Sequence, residues 1–518
     1  MHSTSLKYIS YLSAAFLGFT LLRCAVDTPV SVAALDNTPQ LTQSDVQQLI
    51  AQAVDLAQQN GQAAVIAVAD RWGNPLAVFS MTGTAGSDTD PNFGAIAKAR
   101  TAAMLSSNYA ALSTLTACWI TRATFPPNQP NTLLQGPLFG VGFSSLTGSD
   151  IYDTTLPGQN NPGQPGLTGV PGGFPIYKGD LLAGGLGVST FSNAAGLPAN
   201  FLMTCGGNFI DEAIAQGAAR GFAASAGKTA NNIQLDGIQL AYSNSPAVTA
   251  NFTLTPADLA NLGSFNPNYP VVNPKSLPVS GYVNGYQPQN GSLLATNEIQ
   301  QIITQAITEA NRIRSTLRRP VGLSARFSIA VTDIDGTVLA LYRMADAPVF
   351  STDVCVQKAR TAAVYSDPNS NYGNQIRAVL GLSVGQQIAF STRAIGFLAG
   401  PYYPPGKGQP SNGLPVQPGP LYVIDPVLPT NFNRLQQNQV LNPLGNGMTL
   451  FGGGVPLYKN GQLAGAIGVS GDGVRPDDMV AVAGAAGFQP PVQIQADQYF
   501  YQGVRLPYVT FERNVYIK

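Results

Sequence analysis

Residues Gly172–Thr190 read GGFPIYKGDLLAGGLGVST, and the pattern returns at Gly453–Gly471 as GGVPLYKNGQLAGAIGVSG, with eleven of nineteen positions identical. Each copy reads as a β-hairpin: a short apolar strand ending at Tyr-Lys, a glycine-containing turn, then a longer glycine-rich apolar strand. The second turn is Asn460-Gly461, two residues that tolerate positive φ, and the first is Gly179-Asp180, which suits a turn starting with glycine. Two hairpins this alike mark an internal duplication, and a duplication constrains the fold before any local reading does. In a chain of 518 residues it selects two large domains over three or four average ones.

The rest of each copy repeats in the same order. Val46, Leu49, Ile50, Ala53, Val54 and Ala57 form one apolar helical face, and Thr42 with Asp45 approximates a capping box ahead of it. Ile299, Ile302, Ile303, Ala306, Ile307, Ala310 and Ile313 form the matching face of the second copy. A hairpin follows, Ala64–Asp70 with Pro75–Met81, and again Phe327–Asp333 with Val338–Met344, at a constant offset of 263. These near-continuous apolar runs predict strands buried on both faces or in a covered sheet. Lys98-Ala99-Arg100-Thr101-Ala102-Ala103 recurs unchanged as Lys358–Ala363 in a second helix, after which the second copy carries some 15 extra residues around Asp367–Gly385. Loops rich in Pro, Gly and Asn over 128–172 and 406–452 are long enough to cover a pocket or an interface. The closing helix falls at Asp211–Arg220 and Asp477–Ala486, after an insertion at Thr190–Asn208 in the first copy. The expected boundaries are a leader over 1–34, a first domain over 38–246, a linker over 247–292 and a second domain over 293–513. The linker carries a short helix, Pro256–Leu262, and then a tether rich in Pro, Asn and Gly.

Lys7 ahead of the apolar run Tyr8–Leu22, with Val32-Ala33-Ala34 as a cleavage site, reads as a secretory signal and a secreted or periplasmic protein. Cys24 after Leu21-Leu22-Arg23 is the alternative, a lipid anchor. Membrane contact is expected only through this export signal. Beyond it, Cys118 and Cys205 either pair or remain buried thiols, and Cys355 is left over. With 27 basic and 27 acidic residues there is no electrostatic footprint for nucleic acid. The only His is His2, inside the leader, so the mature chain has no Ser-His-Asp triad, imidazole base or His-ligated metal. Asp70, Asp333, Tyr177 and Lys178 show no paired-carboxylate or nucleophile–base spacing, which points to a non-catalytic role.

The order helix, hairpin, Lys-Ala-Arg-Thr-Ala-Ala helix, covering loops, Gly-Gly-x-Pro-x-Tyr-Lys hairpin and closing helix resembles the haem-degrading or haem-binding GlcG/HbpS-like family. The matches are sharpest at Ala67–Asp70, Lys98–Thr101, Gly172–Lys178, Phe451–Tyr458 and Gly465–Gly471. The resemblance implies an α/β (α+β) fold in two tandem copies, each a central antiparallel sheet flanked by helices, with a tendency to oligomerise. Two fused copies would then form a pseudo-symmetric pair within one chain. It also implies haem or another small anionic ligand.

Several residues are candidates for holding such a ligand. Lys98, Arg100, Lys358 and Arg360 lie two apart on their helices, so only one of each pair faces a given pocket. Arginine would hold a carboxylate with both arms, or else these cations pair with Asp70 or Asp333 or lie on a solvated face. The amides of Gly452, Gly453 and Gly454, like those of Gly172 and Gly173, either cradle an anion or let the loop cross the sheet closely. Tyr177 and Tyr458, with Lys178 and Lys459, sit in matching hairpins, and Met81 and Met344 at matching strand ends. Tyr oxygen and Met sulfur are haem ligands elsewhere, but both residues also serve as core. The expected function is a secreted, non-catalytic binding protein for haem or another small anionic ligand, using a pocket in one or both copies, the second before the first. The alternative is a structural subunit of an extracellular or periplasmic multi-chain assembly, with other protein subunits or further copies of the chain as partners.

Overall fold

The structure is a computed structural model. It describes residues 39–84, 94–121, 149–151, 167–190, 205, 209–235, 238–246, 251–269, 271, 280–283, 285–399, 403, 419–421, 445–511 and 515–517. The leader, most of the two long loops and most of the 190–208 insertion lie outside these residues.

The first copy runs α1 (Gln43–Gln59), β1 (Val65–Asp70), β2 (Pro75–Met81), α2 (Ala95–Leu105), α3 (Thr114–Thr121), β3 (Gly173–Lys178), β4 (Leu181–Ser189), α4 (Ile210–Ala218), β5 (Gln234–Leu235), β6 (Ile238–Gln239) and β7 (Gly263–Phe265). The second runs β8 (Gly281–Tyr282), α5 (Thr296–Arg312), β9 (Phe327–Thr332), β10 (Val338–Arg343), α6 (Ser351–Ser366), α7 (Asn371–Val379), α8 (Thr392–Ala399), β11 (Gly454–Lys459), β12 (Gln462–Gly471), α9 (Val474–Gly484), β13 (Phe500–Tyr501) and β14 (Val504–Arg505). α1 starts at the capping box: Thr42 Oγ1 accepts from Asp45 N at 3.2 Å, and Asp45 Oδ2 accepts from Thr42 N at 2.7 Å.

Both main sheets are antiparallel, in the orders β3-β4-β1-β2-β7 and β11-β12-β9-β10-β8. The strands alternate between two covered faces, as a period of two requires. Val65, Ala67 and Ala69 of β1 pack with Ala95, Ile96 and Ala99 of α2. Ile66 and Val68 point the other way, into a core built with α1 and α4. The second copy repeats this with α5 and α9 against Ile329 and Val331. Each domain is therefore a three-layer stack, which is why its central strands read as unbroken apolar runs.

The linker does more than tether. Gly263–Phe265 pairs with β2, and Gly281–Tyr282 pairs with β10, so each sheet takes its last strand from it. Free strand edges attract a partner, and an aromatic pair reinforces each join. Phe265 meets Phe79 edge-on at 5.1 Å between ring centres, and Tyr282 meets Tyr342 at 5.2 Å. The predicted helix there is a 3-10 turn, Pro256–Asn261.

The two copies pack within one compact unit, Thr38–Lys518. Their seam has an apolar core in which Met104, Leu105, Leu112, Ile120, Leu235 and Leu240 of the first copy meet Val349, Phe350, Val354 and Phe451 of the second. Phe350 N donates to Met104 O at 3.2 Å, so the start of α6 caps the end of α2. Beside it, the buried Asp346 carboxylate is shared by Arg71 of the first copy and Arg318 of the second, and Arg318 also holds Asp472. Asn108 N donates to Asp346 at 3.0 Å, and the Arg343 guanidinium lies 4.5 Å from the centre of the Trp72 ring. The seam is not symmetric in its chemistry. At the 263 offset, Ile334 stands for Arg71 and Gly83 for Asp346, so the ion cluster has no counterpart in sequence.

Candidate functional site

The duplicated hairpins form as predicted, with one difference in the turn. Gly179 and Asp180 both have positive φ, 59° and 62°, as do Asn460 and Gly461, 52° and 76°. Both turns therefore have the two left-handed central residues of a type I′ turn, whose twist suits a tight hairpin. The strand glycines answer a different need. A Cβ on Gly187 would lie 2.0 Å from Ala95 O, and one on Gly468 would lie 1.9 Å from Cys355 O. Glycine lets the Lys-Ala-Arg-Thr helix lie directly on the strand.

Three amides of the glycine loops are committed within the protein. Gly454 N donates to Thr392 Oγ1 at 2.9 Å, as Gly173 N does to Thr114 Oγ1 at 3.0 Å. Gly453 N donates to Asp478 Oδ1 at 2.6 Å. The buried Asp478 also takes Thr510 N at 3.0 Å and the Arg393 guanidinium. The anion cradled by this loop is the chain's own carboxylate. A Cβ on Gly452 would lie 2.6 Å from both Arg393 Nη2 and Asp478 Oδ1, so a side chain there would displace the Arg393–Asp478 pair.

The two lysines of the repeated helix point to the same corner in each copy. Lys98 Nζ is 2.7 Å from Asp211 Oδ2 and 2.9 Å from Val188 O. Lys358 Nζ is 2.6 Å from Asp477 Oδ2 and 2.8 Å from Val469 O. Both lysines are completely buried. Asp70 and Asp333 organise turns, and the Arg100 charge also acts on Asp70. Asp70 accepts from Trp72 N and Asn74 N, both at 2.9 Å, and Asp333 accepts from Ser292 N at 2.6 Å. The arginines point elsewhere, as two-residue spacing requires. Arg100 donates to Gly73 O at 3.0 Å. Arg360 donates to Gly336 O at 2.9 Å and grips Asp150 of the first copy with both arms, at 2.9 and 2.5 Å. The two-armed carboxylate contact exists, and it lies in the seam.

The hairpin residues have equally local duties. Tyr177 Oη donates to Ser107 O at 2.7 Å, and burial holds its hydroxyl well above the usual range. Tyr458 packs on Ala389 and Leu463, and burial raises its hydroxyl too. Lys178 pairs with Asp45 at 2.6 Å and Lys459 with Glu298 at 2.7 Å, tying each hairpin to the first turn of α1 or α5. Met81 Sδ accepts from Ala64 N at 3.3 Å inside the first core, and Met344 lies in the second. Of the eleven candidates the structure brings Lys358, Gly452, Gly453 and Gly454 together beside Asp477 and Asp478. The other seven have separate partners.

Sequence reasoning missed these acidic partners. Their signal was present: the pairs Asp211-Glu212 and Asp477-Asp478 open the closing helix of both copies.

At the seam, this corner borders a cleft of about 20 Å³. Its walls include Leu105, Leu112 and Leu240 of the first copy and Phe350, Phe451 and Asp477 of the second. Asp477 is 2 % exposed, and among the described residues its Oδ1 has no hydrogen-bond partner. In the first copy Asp211 Oδ1 accepts from Thr190 N at 3.0 Å and Thr190 Oγ1 at 2.6 Å. Gly471 stands at that position in the second copy and offers no hydroxyl. Burial pushes Asp477 up to about 7, against the pull of Lys358. The cleft thus combines apolar walls with one buried acceptor, a chemistry that takes a hydrogen-bond donor rather than an anion. Among the described residues no group of three or more His, Cys, Asp or Glu is placed to hold a metal.

Asp70 gives a pH test of these assignments. Burial raises its carboxyl from 3.8 to about 6, against the hydrogen bonds from Asn74 and Trp72. Between those values the folded chain holds a proton that the unfolded chain has released, so stability falls as pH rises through the window. Asp70→Asn keeps the acceptor for both amides. It is expected to flatten this slope by on the order of 2 kcal/mol, read from urea midpoints at pH 4 and pH 7.

The chain matches the family described as "Haem degrading protein HbpS-like" over residues 41–195 and 294–486. It belongs to the HbpS-like family. The two matched segments are the two copies. Solved structures similar to parts of this chain include the PduOC:heme complex, at 20% identity over 38% of this chain and 94% of that chain, with a TM-score of 0.23. Klebsiella pneumoniae protein ORFY is 20% identical over 39% of this chain and 93% of its own, with a TM-score of 0.23. A double mutant of Streptomyces reticuli HbpS is 19% identical over 41% of this chain and 98% of its own, with a TM-score of 0.20. No curated protein sequence matches the chain. In this HbpS-like chain the glycine hairpin, the repeated Lys-Ala-Arg-Thr helix and the acidic start of the closing helix form one packed unit, present twice.

Proposed function

We propose that this HbpS-like chain is an exported, non-catalytic binding protein that holds a small molecule at the seam between its two copies. The observation that carries the reading is the cleft, where apolar walls from both copies meet the buried Asp477, whose Oδ1 has no hydrogen-bond partner among the described residues. The Cys118–Cys205 disulfide supports export, because such bonds persist in oxidising compartments. Either a cleaved leader or an anchor at Cys24 is compatible with it. Haem is the ligand that the family description brings forward. The described residues fit it poorly: the cleft has room for about one water-sized group, and Met81 and Tyr177 are engaged in the core. A smaller neutral molecule, with an apolar body and one hydrogen-bond donor, fits better.

Haemin titration of the purified full chain separates these ligands. A Soret shift saturating at one haemin per chain would establish haem, and a flat titration removes it. The second arm is ligand-observed NMR with methanol, using formate as the anionic control. The expected result is saturation transfer to methanol alone, lost in Leu112→Phe, which fills the cleft. Failure of both arms overturns the binding reading. A second reading, a subunit of a multi-chain assembly, is favoured by the seam itself, where one domain edge docks on another.

A further inference from the structure

The extra segment of the second copy can be aligned with the first through a shared hydrogen-bond bridge. In the first copy Ser106 Oγ accepts from Leu112 N at 3.0 Å and donates to Leu112 O at 3.1 Å. In the second, Ser366 Oγ accepts from Phe390 N at 2.9 Å and donates to Phe390 O at 3.3 Å. Leu105 therefore corresponds to Tyr365, and Leu112 to Phe390. The first copy crosses this bridge with Ser107–Ala111, whereas the second uses Asp367–Ala389, which includes α7.

What lies on these equivalent surfaces differs. In the first copy Leu105, Leu112, Ile120 and Leu240 are covered by the second copy, and Met104 O is capped by Phe350 N. In the second copy Tyr365, Phe390, Leu398 and Leu506 are covered instead by Ile376 of α7, with Tyr372, Leu380 and Leu382 packed around them. The carbonyls at the end of α6 find their donor on α7 as well. Arg377, completely buried, donates to Ser366 O at 3.0 Å, Asp367 O at 3.3 Å and Tyr365 O at 3.4 Å. A helix end needs such donors, and an apolar domain edge needs cover. α7 supplies both where the first copy obtains them from its neighbour.

We propose that α7 is a built-in cap over a latent domain-docking surface, and that the partner this surface fits is an edge of another HbpS-like domain from a second copy of this chain. The cap ends the series at two domains, as polar terminal repeats end a solenoid. Without it the second domain would present to solvent the face with which the first domain holds its neighbour.

The test replaces Asp367–Ala389 in the full chain with the five residues Ser107–Ala111 of the first copy. The graft retains the serine bridge and returns to Tyr458 the kind of carbonyl that Tyr177 bonds. Analytical ultracentrifugation is expected to show at least a doubling of mass relative to the unaltered chain at equal concentration, saturating at a defined stoichiometry. An identical mass at every concentration overturns the proposal. Ile376→Lys gives a second measurement should the graft not fold. Hydrogen exchange is expected to show α7 amides losing protection while β9 and β12 keep theirs, with the same rise in mass. Loss of α7 protection without association, or loss of sheet protection together with α7, counts against a separable cap.

Discussion

Gly468→Ala is expected to destabilise the second domain by about 3 kcal/mol or more. The added methyl would sit 1.9 Å from Cys355 O and 2.5 Å from Ala359 N, both backbone atoms of α6. Side chains can rotate away from a clash, but a helix backbone shifts only by parting from the sheet along its length. Gly461→Ala is the control. A Cβ there meets nothing within 4 Å, and the only cost is the φ of 76°, about 1 kcal/mol. Urea unfolding of the two variants should therefore separate them by about 2 kcal/mol. If Gly468→Ala proved as stable as the unaltered chain, the strand glycines would have to be explained by ligand contact instead.

The second large effect concerns the seam. Asp346→Asn is expected to cost about 3 kcal/mol at neutral pH, because it removes the carboxylate shared by Arg71 and Arg318 while leaving both guanidinium groups enclosed. Asparagine keeps the shape and tolerates the left-handed φ of 61° found there, so the change reports on charge alone. A pH series supplies an internal check. Burial alone would raise the carboxyl, but Arg318 and Arg71 hold it down at about 2. A depressed value means the stabilisation is present above the unfolded value of 3.8 and is lost as pH falls through about 2. The gap between the unaltered chain and the variant should thus close as the pH approaches 2. A constant gap would place the effect in packing. Because the cluster joins the copies, the loss should also divide a single unfolding transition toward two.

The anion cradle and the packing explanation of the glycine hairpin were both open from the residues alone. Gly-Gly at the mouth of a hairpin looks the same whether an external anion or Asp478 accepts the amide of Gly453. The same holds for Arg360. A two-armed carboxylate contact is legible in the residue type, but its partner, Asp150, lies in a loop with no pattern of its own. The linker shows the opposite limit. Its Pro, Asn and Gly content reads as tether, yet three residues at one end and two at the other complete the sheets, too few for periodicity to register.

The sequence by itself determined the duplication, the order of elements and the burial of the central strands. Those depend on short-range periodicity, two along a strand and 3.6 along a helix, and on turn residues, all read within a few positions. Only the tertiary structure decided which charges neutralise one another and where the copies join. Lys98 meets Asp211 across 113 positions, and Arg71 meets Asp346 across 275. Ion pairing depends on separation in space and on exclusion of water, and neither is fixed until the layers have closed.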